Sequence, residues 1–371
     1  MKFIINKNDI KSILAKVQGI TGRRTNLAIT ETVLIEALES SIKITATDLE
    51  TGFEGEYPAS VESQGIIAIN AKKLYEIVRD FPTGDINIDE VENRWIQIGN
   101  HNIEYHIVGM NPEDYPDTPK FDNISFFEMD SASLKRMIEK TVIIVGASED
   151  KRAHINGVYL DYLENKDNKL IKMISTDGSR LSLVDYIYDA KKAPFESGVL
   201  IPKKGLHEVS KFLDTQGRVY VGLKESQLVI KKDTEILTVR LLEGDFPRYA
   251  EIVARNQGYD IVVDRQLFLL MLKRMAILYS DDYKSVVFNF TENKLQVTAT
   301  NPDIGESKED MNIEYLGEPV EIAFNPKYFI ETLNVIDDEF VNINLINGEK
   351  PCLLEGDKDK SYLSVIMPMR L

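Results

Sequence analysis

Alternating apolar and polar positions give way to helical spacing six times along the chain. In "IAINAKKLYEIVRDF" (67–81) the opening residues alternate, then Asn70 marks a switch. Beyond it Leu74, Ile77 and Val78 fall on one helical face. The same switch occurs at Pro202 in "VLIPKKGLHEVSKFL" (199–213) and at Asn325 in "EIAFNPKYFIETLNVI" (321–336). Three further segments run from a short strand into an amphipathic helix: "KFIINKNDIKSILAKV" (2–17), "FFEMDSASLKRMIEKTV" (126–142) and "YDIVVDRQLFLLMLKRMAIL" (259–278). Their N-cap candidates are Asn8, Asp130 or Ser131, and Asp264.

These segments belong to a repeat. "IKITATDLE" (42–50), "IKMISTDGS" (171–179) and "LQVTATNPD" (295–303) are alternating strands closing on Thr-Asp or Thr-Asn, and Thr47, Thr176 and Thr300 recur at intervals of 129 and 124 residues. Hairpin-like pairs close the first two copies, each ending in an acidic residue, an aromatic and a proline: "IQIGNHNIEYHIVGMNPEDYP" (96–116) and "LVIKKDTEILTVRLLEGDFP" (228–247). The third offers "CLLEGDKDKSYLSVIMPMRL". Each copy reads strand, helix, several strands, strand, helix, several strands. The expected fold is α+β in three tandem domains, 1–122, 123–253 and 254–371. Pro368 is expected to stop ladder pairing in the final strand and leave the apolar "MPMRL" end outside it.

The 371 residues are 43% hydrophobic, enough for folded cores, and carry a net charge of −16. That balance argues against holding nucleic acid by bulk charge, although a local basic lining survives within an acidic shell. Cys352 is the single cysteine, so no intramolecular disulfide forms. Neither a signal-peptide pattern nor a membrane-spanning apolar run is found, and a cytoplasmic address is expected.

Catalytic motifs are missing. His101, His106, His154 and His207 are scattered, no glycine-rich loop ends in Gly-Lys-Ser/Thr, and Gly-x-Ser-x-Gly is absent. The acidic pair Asp281–Asp282 and the run Asp337–Asp338–Glu339 read as solvated turns, and Cys352 as a packed side chain. No catalytic residue, metal site or cofactor is expected. Positive charge concentrates on helices instead: Lys7, Lys11 and Lys16; Lys72, Lys73 and Arg79; Lys135, Arg136 and Lys140; Lys203, Lys204 and Lys211; Arg265, Lys273 and Arg274. In five of the six helices basic residues equal or outnumber acidic ones, a bias suited to a polyanionic backbone read without sequence preference.

The chain resembles bacterial DNA polymerase III beta subunits, the replicative sliding clamps. The resemblance rests on the "MKF" start, "TDLE" at Thr47–Glu50, "TDGSRL" at Thr176–Leu181, "PKKG" at Pro202–Gly205, "DFPRY" at Asp245–Tyr249 and the terminal "MPMRL". It implies a non-catalytic processivity factor: a head-to-tail homodimeric ring of six clamp domains around double-stranded DNA, with helices lining the hole and sheets on the rim. By position, the resemblance places Arg24, Lys72, Arg79, Arg152, His154, Lys203 and Lys204 toward DNA, with Glu149 where some members have a neutral group. It places Lys73, Tyr105 and Ile107 against Ile277, Leu278, Asp303, Glu306 and Glu309 of a second copy.

The resemblance further implies a hydrophobic pocket between the second and third domains that takes short Gln/Leu/Phe-type motifs. Their sources would be the replicative polymerase alpha subunit, the clamp loader, translesion polymerases, DNA ligase and mismatch-repair proteins. Matching positions are Ile155, Thr176, Gly178, Ser179, Arg180, Leu181, Pro247, Ile252, Tyr283, Asn325 and Tyr328, with Val365, Ile366, Met367, Pro368, Met369, Arg370 and Leu371 from the tail. Methionine suits a site that adapts to several partners. Ser179 stands where a histidine is common and Glu251 where an arginine occurs, so a shifted peptide preference is expected. The residues alone leave open a repeat-built peptide-binding scaffold that does not encircle DNA, and an unrecognised hydrolase.

Overall fold

A computed structural model describes residues 1–22, 25–117, 124–144, 152–164, 168–190, 193–255 and 258–370. Arg24, Glu149 and Leu371, singled out above, lie outside them. Among the described residues every strand pairing is antiparallel, and no helix is long and apolar enough to cross a membrane.

The six expected strand-to-helix switches are present. Asn70, Asp264 and Asn325 cap their helices, accepting from the backbone N–H of Lys73, Leu267 and Lys327 respectively. The first helix, Lys7–Thr21, is capped by Asn6 rather than the expected Asn8, because the Asn6 side chain accepts from the Asn8 N–H at 3.0 Å. Asp130 accepts from the Ser133 N–H at 2.7 Å. Leu74 and Val78 are fully buried, while Ile77 is half-buried.

The copies are sewn together by shared sheets. The chain forms two compact units, Met1–Lys135 with Lys204–Leu241, and Arg136–Lys203 with Leu242–Leu371. Each unit contains an eight-stranded sheet that crosses from one copy to the next. In the first unit, Glu235–Arg240 pairs with Thr51–Pro58, matching Glu235 to Gly55 and Val239 to Thr51. In the second, Tyr362–Ile366 pairs with Arg180–Ile187, matching Tyr362 to Val184 and Ile366 to Arg180. The middle copy thus contributes strands to both units. The first unit also holds a five-stranded sheet ending at Glu104–Val108, and the second a four-stranded sheet ending at Gly305–Asn312.

The cores follow from the alternation. Phe3, Ile5, Ile86 and Ile88 are buried across neighbouring strands, beneath Ile10, Leu14 and Val17 of the first helix. In the third copy Phe268, Phe288, Phe324 and Phe329 are buried with ring centroids 5.0–6.0 Å apart, mostly edge to face. The glycine of "PKKG" has a packing reason. A Cβ on Gly205 would lie 2.2 Å from Val239 Cγ1, so only glycine lets the helix Lys203–Phe212 sit on the Glu235–Arg240 strand.

Three strand ends close in the same way. Met110 bridges to Ala68, Leu242 to Leu200 and Met369 to Ala323. In each, the residue beyond the last hairpin donates its N–H to the strand before the second helix, at 2.8–2.9 Å. The tail therefore continues pairing past Pro368, contrary to the expectation that proline leaves it outside the ladder. Proline removes only its own donor, and Met367 and Met369 on either side still donate, to Ser179 and Ala323.

Candidate functional site

The second seam carries a built site. The strand Lys169–Thr176 ends in a tight turn whose hydrogen bonds come from its own side chains. Thr176 Oγ1 donates to the Arg180 carbonyl at 2.8 Å and accepts from the Gly178 N–H at 3.1 Å. Asp177 Oδ1 accepts from the Ser179 and Arg180 N–H groups at 2.9 and 3.0 Å. Gly178 has φ of +87°, a left-handed conformation that glycine adopts without strain, and it faces open space. "TDGSRL" is thus a self-supporting turn presenting Gly178 and Ser179 to solvent.

Arg180 is 8% exposed and heavily partnered. Its Nε donates to Asp177 Oδ2 at 3.0 Å, its Nη1 lies 2.6 Å from Glu331 Oε2, and its guanidinium stacks 4.2 Å above the Tyr328 ring. These contacts hold its guanidinium over the Tyr328 ring.

Below the turn, Ile174, Leu181, Leu183, Leu353 and Val365 form a buried apolar cluster. Tyr159, Phe246, Tyr249, Ile252, Val253 and Leu363 pack on it, each partly exposed. Tyr159 and Phe246 stack with centroids 4.9 Å apart, and Tyr249 meets Phe246 edge-on. Tyr249 donates to Asp161 Oδ2 at 2.8 Å; burial and then that carboxylate hold its hydroxyl protonated, well above the usual tyrosine range. The result is an aromatic shelf over an aliphatic floor, a surface that accepts apolar side chains.

The structure gathers Leu181, Ile252 and Val365 in this cluster, with Thr176, Gly178, Ser179 and Arg180 on the adjoining turn and Tyr328, on the helix Pro326–Val335, beneath the Arg180 guanidinium. Ile366 pairs with Arg180, and Met367 donates to the Ser179 carbonyl at 2.9 Å. Met369 is 36% exposed, Pro368 half-buried and Arg370 exposed. Ile155 is buried and Pro247 exposed. Two expected members do other work. Asn325 is 6% exposed and spends its side chain capping a helix, and Tyr283 lines a separate narrow cavity with Met275, Leu278, Tyr279 and Pro326. Sequence reasoning missed Tyr159, Phe246, Tyr249 and Leu363. The "DFPRY" motif contains two of them.

Of the basic positions, Lys72 and Arg79 are exposed on the helix Ala71–Asp80, where Arg79 forks onto Asp80 at 2.9 and 3.0 Å. Lys204 and Arg152 are exposed, and Lys203 is half-buried. The His154 ring meets Phe246 edge-on at 6.3 Å. Four other helix cations serve the fold. Lys140 is 4% exposed, held by Asp359 at 3.4 Å and lying 5.4 Å from the Tyr362 ring centre. Arg265 donates to the Asp338 and Leu333 carbonyls, Arg274 forks onto Glu309, and Lys16 meets Glu235. The basic bias of the helices is partly internal pairing.

Tyr105 is 45% exposed on the edge strand Glu104–Val108, which pairs only with Trp95–Gly99, and Ile107 is half-buried on the same strand. Ile277 is 75% exposed, Leu278 half-buried, and Asp303 and Glu306 exposed at the Gly305–Asn312 edge. Lys73 pairs with Glu76 at 2.9 Å within its own helix. Among the described residues no three His, Cys, Asp or Glu side chains gather as metal ligands do.

Three family models cover the chain in succession: the DNA polymerase III beta subunit N-terminal domain at residues 1–119, its central domain at 128–248 and its C-terminal domain at 251–370. The beta sliding clamp of Chlamydia pneumoniae is 28% identical over 100% of this chain and 99% of that protein. The crystal structure of the Pseudomonas aeruginosa DNA polymerase III subunit beta superimposes with a TM-score of 0.93 at 27% identity, covering both chains fully. A sliding clamp of the same organism bound to griselimycin gives 0.92 at 26% identity, again covering both chains fully.

Proposed function

Because the chain belongs to the DNA polymerase III beta subunit family and is a sliding-clamp processivity factor, we propose that two copies close head to tail around duplex DNA. The observation that carries this reading is the register of the two internal seams. Thr51, Arg180 and Gly305 are repeat equivalents, each one residue before the hairpin partner of Thr47, Thr176 or Thr300. Val239 pairs with Thr51 and Ile366 with Arg180. The equivalent of Val239 in the first copy is Ile107, since each stands three residues before its copy's bridging residue, Leu242 or Met110. The one equivalent strand pair left unjoined is Glu104–Val108 and Gly305–Asn312, both open edges.

Joined by the same rule across two copies, Ile107 faces Gly305, which puts Val108 opposite Ile304, His106 opposite Glu306 and Glu104 opposite Lys308. Val108 and Ile304 are 56% and 61% exposed in the single chain, and the junction would cover both. A heterologous contact of this kind closes into a ring, and continuing the sheet conceals two edges that would otherwise invite aggregation.

Such a ring holds DNA topologically, so individual phosphate contacts from Lys72, Arg79, Arg152, His154, Lys203 and Lys204 need only be weak. It performs no chemistry of its own. The aromatic shelf and turn at the second seam take short motifs carrying apolar anchors, a few residues supplying most of the affinity. The partners are the replicative polymerase alpha subunit, the clamp loader and repair proteins. Loading onto nicked circular plasmid, followed by linearisation, tests the ring. Release by the free ends is expected, whereas a scaffold bound by charge alone stays on linear DNA and leaves only when salt rises.

A further inference from the structure

The first seam contains a cavity where the second carries its docking site. It holds about 120 Å³ and is lined by Thr47, Leu49, Glu50, Phe53, Asp117, Gln227 and neighbouring residues of the paired strands. Its members are repeat equivalents of the docking residues. Thr47 matches Thr176, Leu49 matches Gly178, Glu50 matches Ser179, Thr51 matches Arg180 and Pro116 matches Pro247. The turn has the same build. Thr47 Oγ1 donates to the Thr51 carbonyl at 3.1 Å and accepts from the Leu49 N–H at 3.0 Å, and Asp48 Oδ1 accepts from Glu50 and Thr51. Leu49 has φ of +74°, matching the left-handed Gly178, although leucine is strained there.

A strained, 49% exposed leucine stands on the rim of this cavity. Inside, the buried Gln227 Oε1 accepts no hydrogen bond.

The charge is opposite to that of the second seam. Arg180 becomes Thr51, Ser179 becomes Glu50, and Arg248 becomes Asp117. Glu50 and Asp117 are exposed, while Glu54 on the lining pairs with Lys43 at 2.9 Å.

We propose that this cavity is a second docking site, taking a short peptide that inserts an aliphatic side chain beside Leu49 and places Lys or Arg against Glu50 and Asp117. This rests on reading the second seam as a peptide site, because the repeat relates the two. The ligand is cationic because the exposed Glu50 and Asp117 present carboxylates, which only accept hydrogen bonds. Two sites of opposite charge on one chain would let partners of different composition bind together.

The test is anisotropy titration of a dye-labelled Leu-Leu-Lys-Arg peptide into the full chain, with a Gln-x-Leu-x-Phe peptide titrated in parallel. Saturable binding of the basic peptide is expected, weakened about tenfold by E50K/D117K and less by L49G, which relieves the backbone at that position. The control E314K/E318K makes the same charge change on exposed residues elsewhere and should leave binding unaltered. Equal weakening by both double variants, or no saturable binding, overturns the proposal. The Gln-x-Leu-x-Phe peptide should bind all variants alike. If it alone fails, the second-seam reading falls while the cavity's ligand stands measured.

Discussion

The Met369 N–H donates to the Ala323 carbonyl at 2.8 Å, tying the chain's tail to the strand that leads into its last helix. The same bridge joins Met110 to Ala68 and Leu242 to Leu200 in the other copies. The tail's backbone is therefore a repeated closure of the fold, and only its side chains are free to serve docking. Met367 and Met369 are the two that combine partial exposure with adaptable shape.

Shortening the chain to Val365 should consequently lower stability as well as peptide binding, because Ile366 pairs with both Arg180 and Cys352. M367A/M369A separates the roles. It should leave the unfolding free energy in urea within about 0.5 kcal/mol of the parent, as surface changes do. Binding of a Gln-x-Leu-x-Phe peptide should fall by about five- to tenfold, read by anisotropy. Unchanged affinity in this variant would make the tail a structural end only.

Glu235 is 6% exposed at the first seam, where it meets Lys16, accepts from the Tyr57 hydroxyl at 2.6 Å and lies 3.7 Å from Lys232. Burial first, then the Glu235 carboxylate, keep the Tyr57 hydroxyl protonated far above the usual tyrosine range. Glu235→Ala should destabilise the chain by about 1–3 kcal/mol in urea, because it strands a buried hydroxyl and an ammonium together. Glu104, on the open edge strand of the first copy, is exposed, and Glu104→Ala should cost a few tenths at most in the single chain.

Sequence patterning made the elements legible because alternation and helical spacing are local. It read the strand-to-helix switches at Asn70, Pro202 and Asn325, and the "TDGSRL" turn, whose hydrogen bonds lie within five residues. Pairing across copies was not legible. Nothing near Val239 announces Thr51 as its partner, so the two eight-stranded sheets emerge only in three dimensions. The basic helices misled for the same reason. Lys140 looks like a surface cation until Asp337 and Asp359, some two hundred residues later, close around it. The docking shelf was half legible: "DFPRY" was noticed as a motif, but the stacking of Phe246 on Tyr159 depends on a distant strand.

Cys352 is 1% exposed, and burial pushes its thiol up from 9.0 to about 12. The unfolded chain therefore loses this proton first. Its contribution to stability is complete below about pH 9 and declines between pH 9 and 12, by up to about 1.4 kcal/mol per pH unit. Urea titrations from pH 8 to 10.5 should show a steeper loss for the parent than for Cys352→Ala. At pH 8 a thiol reagent should label the native chain negligibly and the denatured chain fully. Rapid labelling of the native chain would mean that the Cys352–Gly356 strand opens locally.

The register inherited from the internal seams puts Glu104 of one copy opposite Lys308 of the other, and His106 opposite Glu306. Directly opposed charges on neighbouring strands attract when unlike and repel when like, by roughly 0.2–1 kcal/mol. Lys308→Glu would replace an attraction by a repulsion. Because a two-fold ring contains the junction twice, the dimer's dissociation constant should rise by about tenfold, near 1.4 kcal/mol. Glu104→Lys alone should weaken the dimer comparably. Combining them restores the pair with its signs exchanged, so E104K/K308E should return most of the affinity in sedimentation equilibrium. A register shifted by one residue would send these side chains to opposite faces of the sheet. The double variant would then be as weak as the two single variants added together, and the shared-register rule would fail.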